Sequence, residues 1–136
     1  FYHNVKVYYE DTDAGGVVYY ANYLHYAERA RTEMFRAHGI ESSDLINTDG
    51  IVLAVRTCNI DYFMPAKLDD SLLIESKFNK IGGASIEIDQ TIKRSGLDLV
   101  KITIVLACLN LDTGKPQRFP DSVLKAFSFI GGEKNY

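Results

Sequence analysis

The sequence predicts an α+β fold: one curved antiparallel sheet of about five strands wrapped around a single long helix. Three observations predict it. From about Tyr20 to His38, apolar residues recur every three or four positions, the period of an amphipathic helix. Between Ile51 and Leu111, four runs alternate apolar and polar residues, separated by turn residues, as half-buried strands do. The order is strand, helix, then four strands with no βαβ alternation, so neighbouring strands are expected to be antiparallel.

Each element follows from its residues. Val5, Val7 and Tyr9 alternate with Asn4, Lys6 and Tyr8 as a short first strand, which Asp11, Asp13, Gly15 and Gly16 end with turn chemistry. Tyr23, Ala27, Ala30, Met34 and Ala37 line one face of the helix, with Tyr26 beside them; Tyr19 joins Tyr23 and Tyr26 as expected core, with Tyr20 the exception. Glu28, Arg29, Arg31, Glu33 and Arg36 are expected on the solvent face, where Arg29/Glu33 and Glu33/Arg36 pairs would contribute only about 0.2–0.5 kcal/mol each. Burial of the apolar face therefore stabilises the helix most. Gly39 suits the left-handed position that ends it. Ser42-Ser43-Asp44 can start one or two further helical turns.

Ile51 to Phe63 is rich in β-branched and aromatic residues and Pro65 closes it. Ser71 to Phe78 follows, then the Gly82-Gly83 reversal. Ile86, Ile88 and Ile92 oppose Ser85, Glu87, Asp89, Thr91 and Lys93, and Ser95-Gly96 turns the chain again. Val100, Ile102, Ile104 and Leu106 form one face of the last strand, which Asp112 to Pro116 closes. No element is assigned beyond that turn, so the long helix is the only strong one expected. A sheet with two open edges predicts a homodimer or homotetramer formed by edge pairing.

A chain of 136 residues is one domain, taken as residues 1–136. Its net charge of -3 and lack of any Lys/Arg run argue against a nucleic-acid partner. Cys58 and Cys108 have no His or Cys at metal-ligand spacing and read as buried free thiols. No apolar run approaches the ~18 residues of a membrane span. No secretory signal pattern is visible either, so the expected location is the cytoplasm.

The chemistry concentrates between Tyr8 and Tyr23. Asp11 and Asp13 bracket Thr12 just before Gly15-Gly16 and the long helix. Turn carboxylates often serve only their own loop. Here, however, the first amides of a helix lie close by, and these lack internal partners and favour anions. One loop can thus present an ionised carboxylate beside N–H donors, the minimal set for attack on a carbonyl.

Tyr9-x-Asp11-Thr12-Asp13-x-x-Gly16-Val17-Val18-Tyr19-x-x-x-Tyr23, followed by Glu28-Arg29-Ala30-Arg31, resembles the signature of YbgC-type acyl-CoA thioesterases. These belong to the 4-hydroxybenzoyl-CoA thioesterase family of hotdog folds. The resemblance continues through Asp61-Tyr62-x-x-Pro65-Ala66-x-Leu68-Asp69-Asp70 and Lys115-Pro116-x-Arg118-x-Pro120. It implies cofactor-free hydrolysis of an acyl-CoA with a small acyl group. Asp13 would be the catalytic carboxylate, as nucleophile or general base, with the Tyr20 backbone N–H as oxyanion donor. Many family members carry His at Tyr20, so the amide role transfers more directly than any side-chain role. Asp11 would hold the loop, and Asn22 would either cap the helix or lie at the site. Gly16, Val17, Asn22, Lys80, Ser85 and Arg118 complete the implied substrate-binding set, with the pantetheine arm passing Ser85. The resemblance also implies an acyl groove between subunits. The Gly82-Gly83-Ala84 hairpin lacks the basic residues that the hydroxybenzoyl enzyme carries there for the nucleotide phosphates, so nucleotide recognition would be weak or use Lys80 and Arg118, and an acyl carrier protein is the alternative thiol carrier.

Rival readings follow from the same residues. A non-catalytic acyl-CoA or carrier-protein binding partner in envelope or phospholipid metabolism, such as the Tol-Pal association of the family implies, keeps the fold without the chemistry. A hotdog hydratase would need a His/Glu or His/Asp pair, and His3, His25 and His38 are scattered. The absence of a Gly-x-Ser-x-Gly elbow removes the α/β-hydrolase route. Arg56, in an otherwise apolar strand, reads as an edge snorkel or an interface ion pair.

Overall fold

The computed structural model describes residues 1–131, with side chains through Ser128. Five strands, β1 (Tyr2–Lys6), β2 (Ile51–Tyr62), β3 (Ser71–Ile81), β4 (Ser85–Arg94) and β5 (Leu97–Asn110), form one sheet. Their order is β1-β3-β4-β5-β2, and every neighbouring pair is antiparallel. β3, β4 and β5 are joined by tight hairpins. β2 lies on the opposite edge from β1, so residues 63–70 cross the end of the sheet to reach β3.

The long helix α1 spans Asn22–Ala37 and packs mainly over β1 and β3. Its fully buried Tyr26, Ala27, Ala30 and Met34 share one core with Leu72 and Ile74 of β3, Ile88 and Ile92 of β4 and Ile102 and Ile104 of β5. Burying each large side chain contributes about 1.5–3 kcal/mol. The small Ala27 and Ala30 allow close approach to the sheet. A short α2 (Ser42–Asp44) runs into a π-helical turn (Leu45–Asp49), which Gly50 ends in the left-handed conformation.

Several expectations need correction. The first strand stops at Lys6 because the Tyr8 N–H donates to Asp11 Oδ2 and starts a 3-10 turn over Tyr9–Asp11. The helix begins at Asn22 rather than near Tyr20, which leaves Tyr19 47% exposed before it instead of in the core. Arg31, expected in solvent, is buried: its Nη1 donates to Gln90 Oε1 at 2.8 Å. Gln90 Nε2 in turn donates to the Ala27 carbonyl and Ser76 Oγ, both at 2.9 Å. Of the two expected helix pairs, Glu33–Arg36 forms. Cys58 is exposed, because it sits on the open edge strand; Cys108 is buried. A second substantial helix, α3 (Asp121–Gly131), follows Pro120. It buries Val123, Leu124 and Phe127, and the Phe127 ring packs against Phe35, Phe78 and Phe119.

Candidate active site

The acidic loop is a small ladder in its own right. Tyr19 N–H donates to the Asp11 carbonyl, Thr12 bridges Val18, and Asp13 N–H donates to the Val17 carbonyl. Asp13 therefore stands at the tip of a tight reversal. Gly16 makes that reversal possible, since its φ of 78° is one that L side chains rarely adopt. Asp13 Oδ1 accepts the Gly15 N–H at 2.8 Å, while Oδ2 accepts no bond from any described residue and the residue is exposed. The Tyr20 N–H, in the turn just before α1, has no acceptor among the described residues.

Asp11 is the anchor. Its carboxylate takes the Tyr8 N–H at 2.9 Å, and its carbonyl takes both the Tyr19 N–H and Asn22 Nδ2. Asn22 is thus the first helical residue, with its side chain committed to the loop; Ala21 holds the capping position with no side-chain cap. One turn further along the same helix face, the Tyr26 hydroxyl is buried and lacks a hydrogen-bond partner. Burial, and then the nearby Asp11 carboxylate, push its pKa well above the ordinary tyrosine value.

The crossover braces the loop from the other side. Val18 N–H donates to the Ala66 carbonyl, Val17 bridges Lys67, and Leu68 N–H reaches the Gly16 carbonyl. Two ties hold the crossover: Ala66 N–H donates to the Tyr23 hydroxyl, and Lys67 N–H donates to Asp70 Oδ2. Asp70 also pairs with Arg94 at 2.7 Å, and Arg94 reaches the Pro65 carbonyl. Desolvation pulls the Asp70 pKa up, but the Lys67 N–H and the Arg94 guanidinium outweigh it, so the carboxyl is held below its ordinary 3.8. This pair, 24 residues apart in the chain, was not singled out from the sequence; the paired Asp69-Asp70 after Pro65 was its only local mark. Tyr20, 62% exposed, stacks near Tyr19 and Tyr62, and the Tyr62 hydroxyl donates to the Tyr20 carbonyl.

Gly16 and Val17 belong to the Asp13 reversal and Asn22 to the Asp11–Tyr19 rung next to Tyr20, whereas Lys80, Ser85 and Arg118 lie elsewhere. They lie at the β3–β4 hairpin, at the far end of β3. Eleven residues of strand separate the two ends, about 30 Å at the usual rise. At the hairpin, Arg118 Nη1 lies 2.7 Å from where a Cβ on Gly83 would sit, so a side chain there would make the guanidinium shift. Phe119 N–H donates to the Gly83 carbonyl and fixes the approach. His25 faces solvent and joins no site.

The sequence profile of the Thioesterase-like superfamily matches residues 7–127. The chain belongs to that family. Over 126 residues it is 46% identical to the acyl-CoA thioesterase YbgC of Haemophilus influenzae, covering 93% of each protein. It is 38% identical over 124 residues to the acyl-CoA thioester hydrolase YbgC of Escherichia coli O6:H1, covering 90% of this chain and 92% of that one. Among solved structures, the probable thioesterase from Bartonella henselae superposes with a TM-score of 0.84 at 33% identity, over 88% of this chain and 98% of that one. The family therefore stands as a YbgC-like branch of the thioesterases, and the sheet-and-helix arrangement is their hotdog fold.

Proposed function

We propose that the chain hydrolyses the thioester of acyl-CoA substrates with small acyl groups, using Asp13 and the Tyr20 backbone N–H. The observation that carries this reading is the Asp13 carboxylate at the loop tip, with one oxygen held by Gly15 N–H and the other unengaged, on the same short ladder that leads to an unpartnered N–H at Tyr20. As general base, Asp13 takes a proton from water while the water oxygen bonds to the thioester carbon. As nucleophile, its own oxygen makes that bond, giving a mixed anhydride that water then opens. In both routes the carbonyl oxygen becomes an oxyanion, the Tyr20 N–H donates to it, and its collapse breaks the C–S bond. In the general-base route Asp13 passes the abstracted proton to the departing thiolate, whereas in the nucleophile route the thiolate takes a proton from solvent and water opening the anhydride releases the free acid, the Asp13 carboxylate and a proton.

The separation of the loop from the hairpin favours a site completed by a second copy. β2 is an open edge of 12 residues, with Val55 and Tyr62 about half exposed along it. Antiparallel pairing of two β2 edges would set the Tyr62 end of one chain beside the Ile51 end of its partner. One protomer's Asp13 loop would then approach the other's Ser85 hairpin. A carrier-protein thioester fits the same path, because only the pantetheine arm must enter.

Asp13→Asn keeps the loop's shape and removes the base. Purified, folded Asp13→Asn protein is expected to hydrolyse short-chain acyl-CoA at least about a hundredfold more slowly than the parent. Parent-like rates in a thiol-release assay would overturn the assignment.

A further inference from the structure

The sequence left Arg56 as either a snorkelling side chain or an ion pair. It makes no ion pair with any described residue. Its strand position is irregular: the β2–β5 register shifts between Val55 and Thr57, so Arg56 is the extra residue of a bulge. Bulges re-aim a side chain and often border active sites. Here the bulge turns Arg56 onto a groove of about 260 Å3, which it lines together with Ser85.

The groove is built to admit something slender. Ser85, Ala107 and Ala54 form one cross-strand row over β4, β5 and β2, and Ala84 and Pro116 border it. None of its lining residues is acidic. Glu87, the next residue on the Ser85 side of β4, accepts a hydrogen bond from Asn79 instead. At the hairpin rim, Arg118 lies over Gly83 and likewise has no ion-pair partner among the described residues. Arg56 therefore lines a groove of small residues with one hydroxyl, Arg118 sits over the adjoining hairpin outside that lining, and planar forked donors of this kind suit phosphate oxygens.

We propose that Arg56 is a phosphate-binding residue of the thiol carrier, acting across this groove with Ser85 and Arg118. The proposal rests on the acyl-CoA reading above and deepens it. It makes Arg56 a residue of carrier affinity rather than of bond cleavage, and it adds a cation to Lys80 and Arg118 near the Gly82-Gly83-Ala84 turn.

The test compares Arg56→Gln and Arg56→Lys with the parent on butyryl-CoA, butyryl-phosphopantetheine and butyryl-pantetheine. Arg56→Gln is expected to raise KM for butyryl-CoA about tenfold, as loss of one charge-assisted hydrogen bond does. Its kcat and its KM for butyryl-pantetheine should stay at parental values, and Arg56→Lys should recover part of the loss. An equal KM rise on butyryl-phosphopantetheine assigns Arg56 to the pantetheine phosphate, shared with carrier proteins; a rise on butyryl-CoA alone assigns it to the nucleotide phosphates. The proposal is overturned if KM changes equally for butyryl-pantetheine, if it does not change at all, or if the variant elutes as a smaller oligomer. Should the parent hydrolyse none of the three, the hydrolase reading falls. Calorimetric titration of parent and Arg56→Gln with CoA then decides the role of Arg56 by itself, unequal affinity supporting it and equal affinity overturning it.

Discussion

Tyr26 occupies a place that phenylalanine would fill equally well, except for a hydroxyl that is buried without a partner. Such a group carries its desolvation cost with no bond in return, about 1–3 kcal/mol. The Asp11 carboxylate, which takes the Tyr8 N–H, is the acceptor that acts on this hydroxyl, but it lies outside hydrogen-bond distance. Tyr26→Phe is therefore expected to leave stability unchanged or raise it by about 1 kcal/mol in denaturant melts, with Asp13-dependent hydrolysis retained. A loss of stability would mean that the hydroxyl supports the loop through Asp11. Gln90 shows the opposite case. It is buried in an apolar row, but its amide serves the Ala27 carbonyl, Ser76 and Arg31 at once. A satisfied polar cluster of this kind fixes the register of helix on sheet. It also explains how a residue as costly to bury as Arg31 is held between α1 and the sheet.

At the scale of elements, the crossover between β2 and β3 governs the loop, and Arg94 governs the crossover. The Asp70 carboxyl is held below 3.8 by the Lys67 N–H and Arg94 against the pull of desolvation. A depressed carboxyl contributes stability fully above its ordinary pKa and loses it as pH falls through the depressed value. Arg94→Met should cost about 1 kcal/mol at neutral pH, since the pair is partly solvated. It should also flatten the parent's loss of stability below about pH 4, as urea midpoints measured across pH will read. A parallel shift at every pH, with the acid limb unchanged, would refute the linkage. Hydrolysis should slow as well, because Gly16, Val17 and Val18 lean on residues 66–68. The same elements show what the sequence could and could not tell. α1 was legible because 16 residues repeat one period, and the Asp13 loop because its ladder closes within residues 11–19. α3 was not, since its apolar spacing at Val123, Leu124 and Phe127 is brief and follows what looked like a closing turn. The burial of Arg31 depends on a partner 59 residues away, and no periodicity on the helix itself reports that.

For the whole molecule, the decisive length is β3. Its 11 residues hold the Asp13 loop at one end and the Ser85 hairpin at the other, about 30 Å apart. An acyl-pantetheine thioester cannot touch both sets within one chain unless the carrier runs the full length of the sheet. The proposed antiparallel pairing of two β2 edges would remove the difficulty, and such an isologous contact would give two composite sites per dimer. Subunit complementation follows directly. Asp13→Asn disables the loop, and Ser85→Trp blocks the groove beside the hairpin, so each variant alone should be nearly inactive. Mixed in equal amounts and allowed to exchange subunits, half the dimers combine the two variants, and each of these keeps one site with intact Asp13 and intact Ser85. Activity should rise toward about a quarter of the parent's if both variants pair at random. If the loop and groove of a single chain formed the site, every chain in the mixture would carry a defect and activity would stay at the level of the separate variants. Thiol release before and after mixing, with exchange followed by a mass-tagged chain, distinguishes the two arrangements.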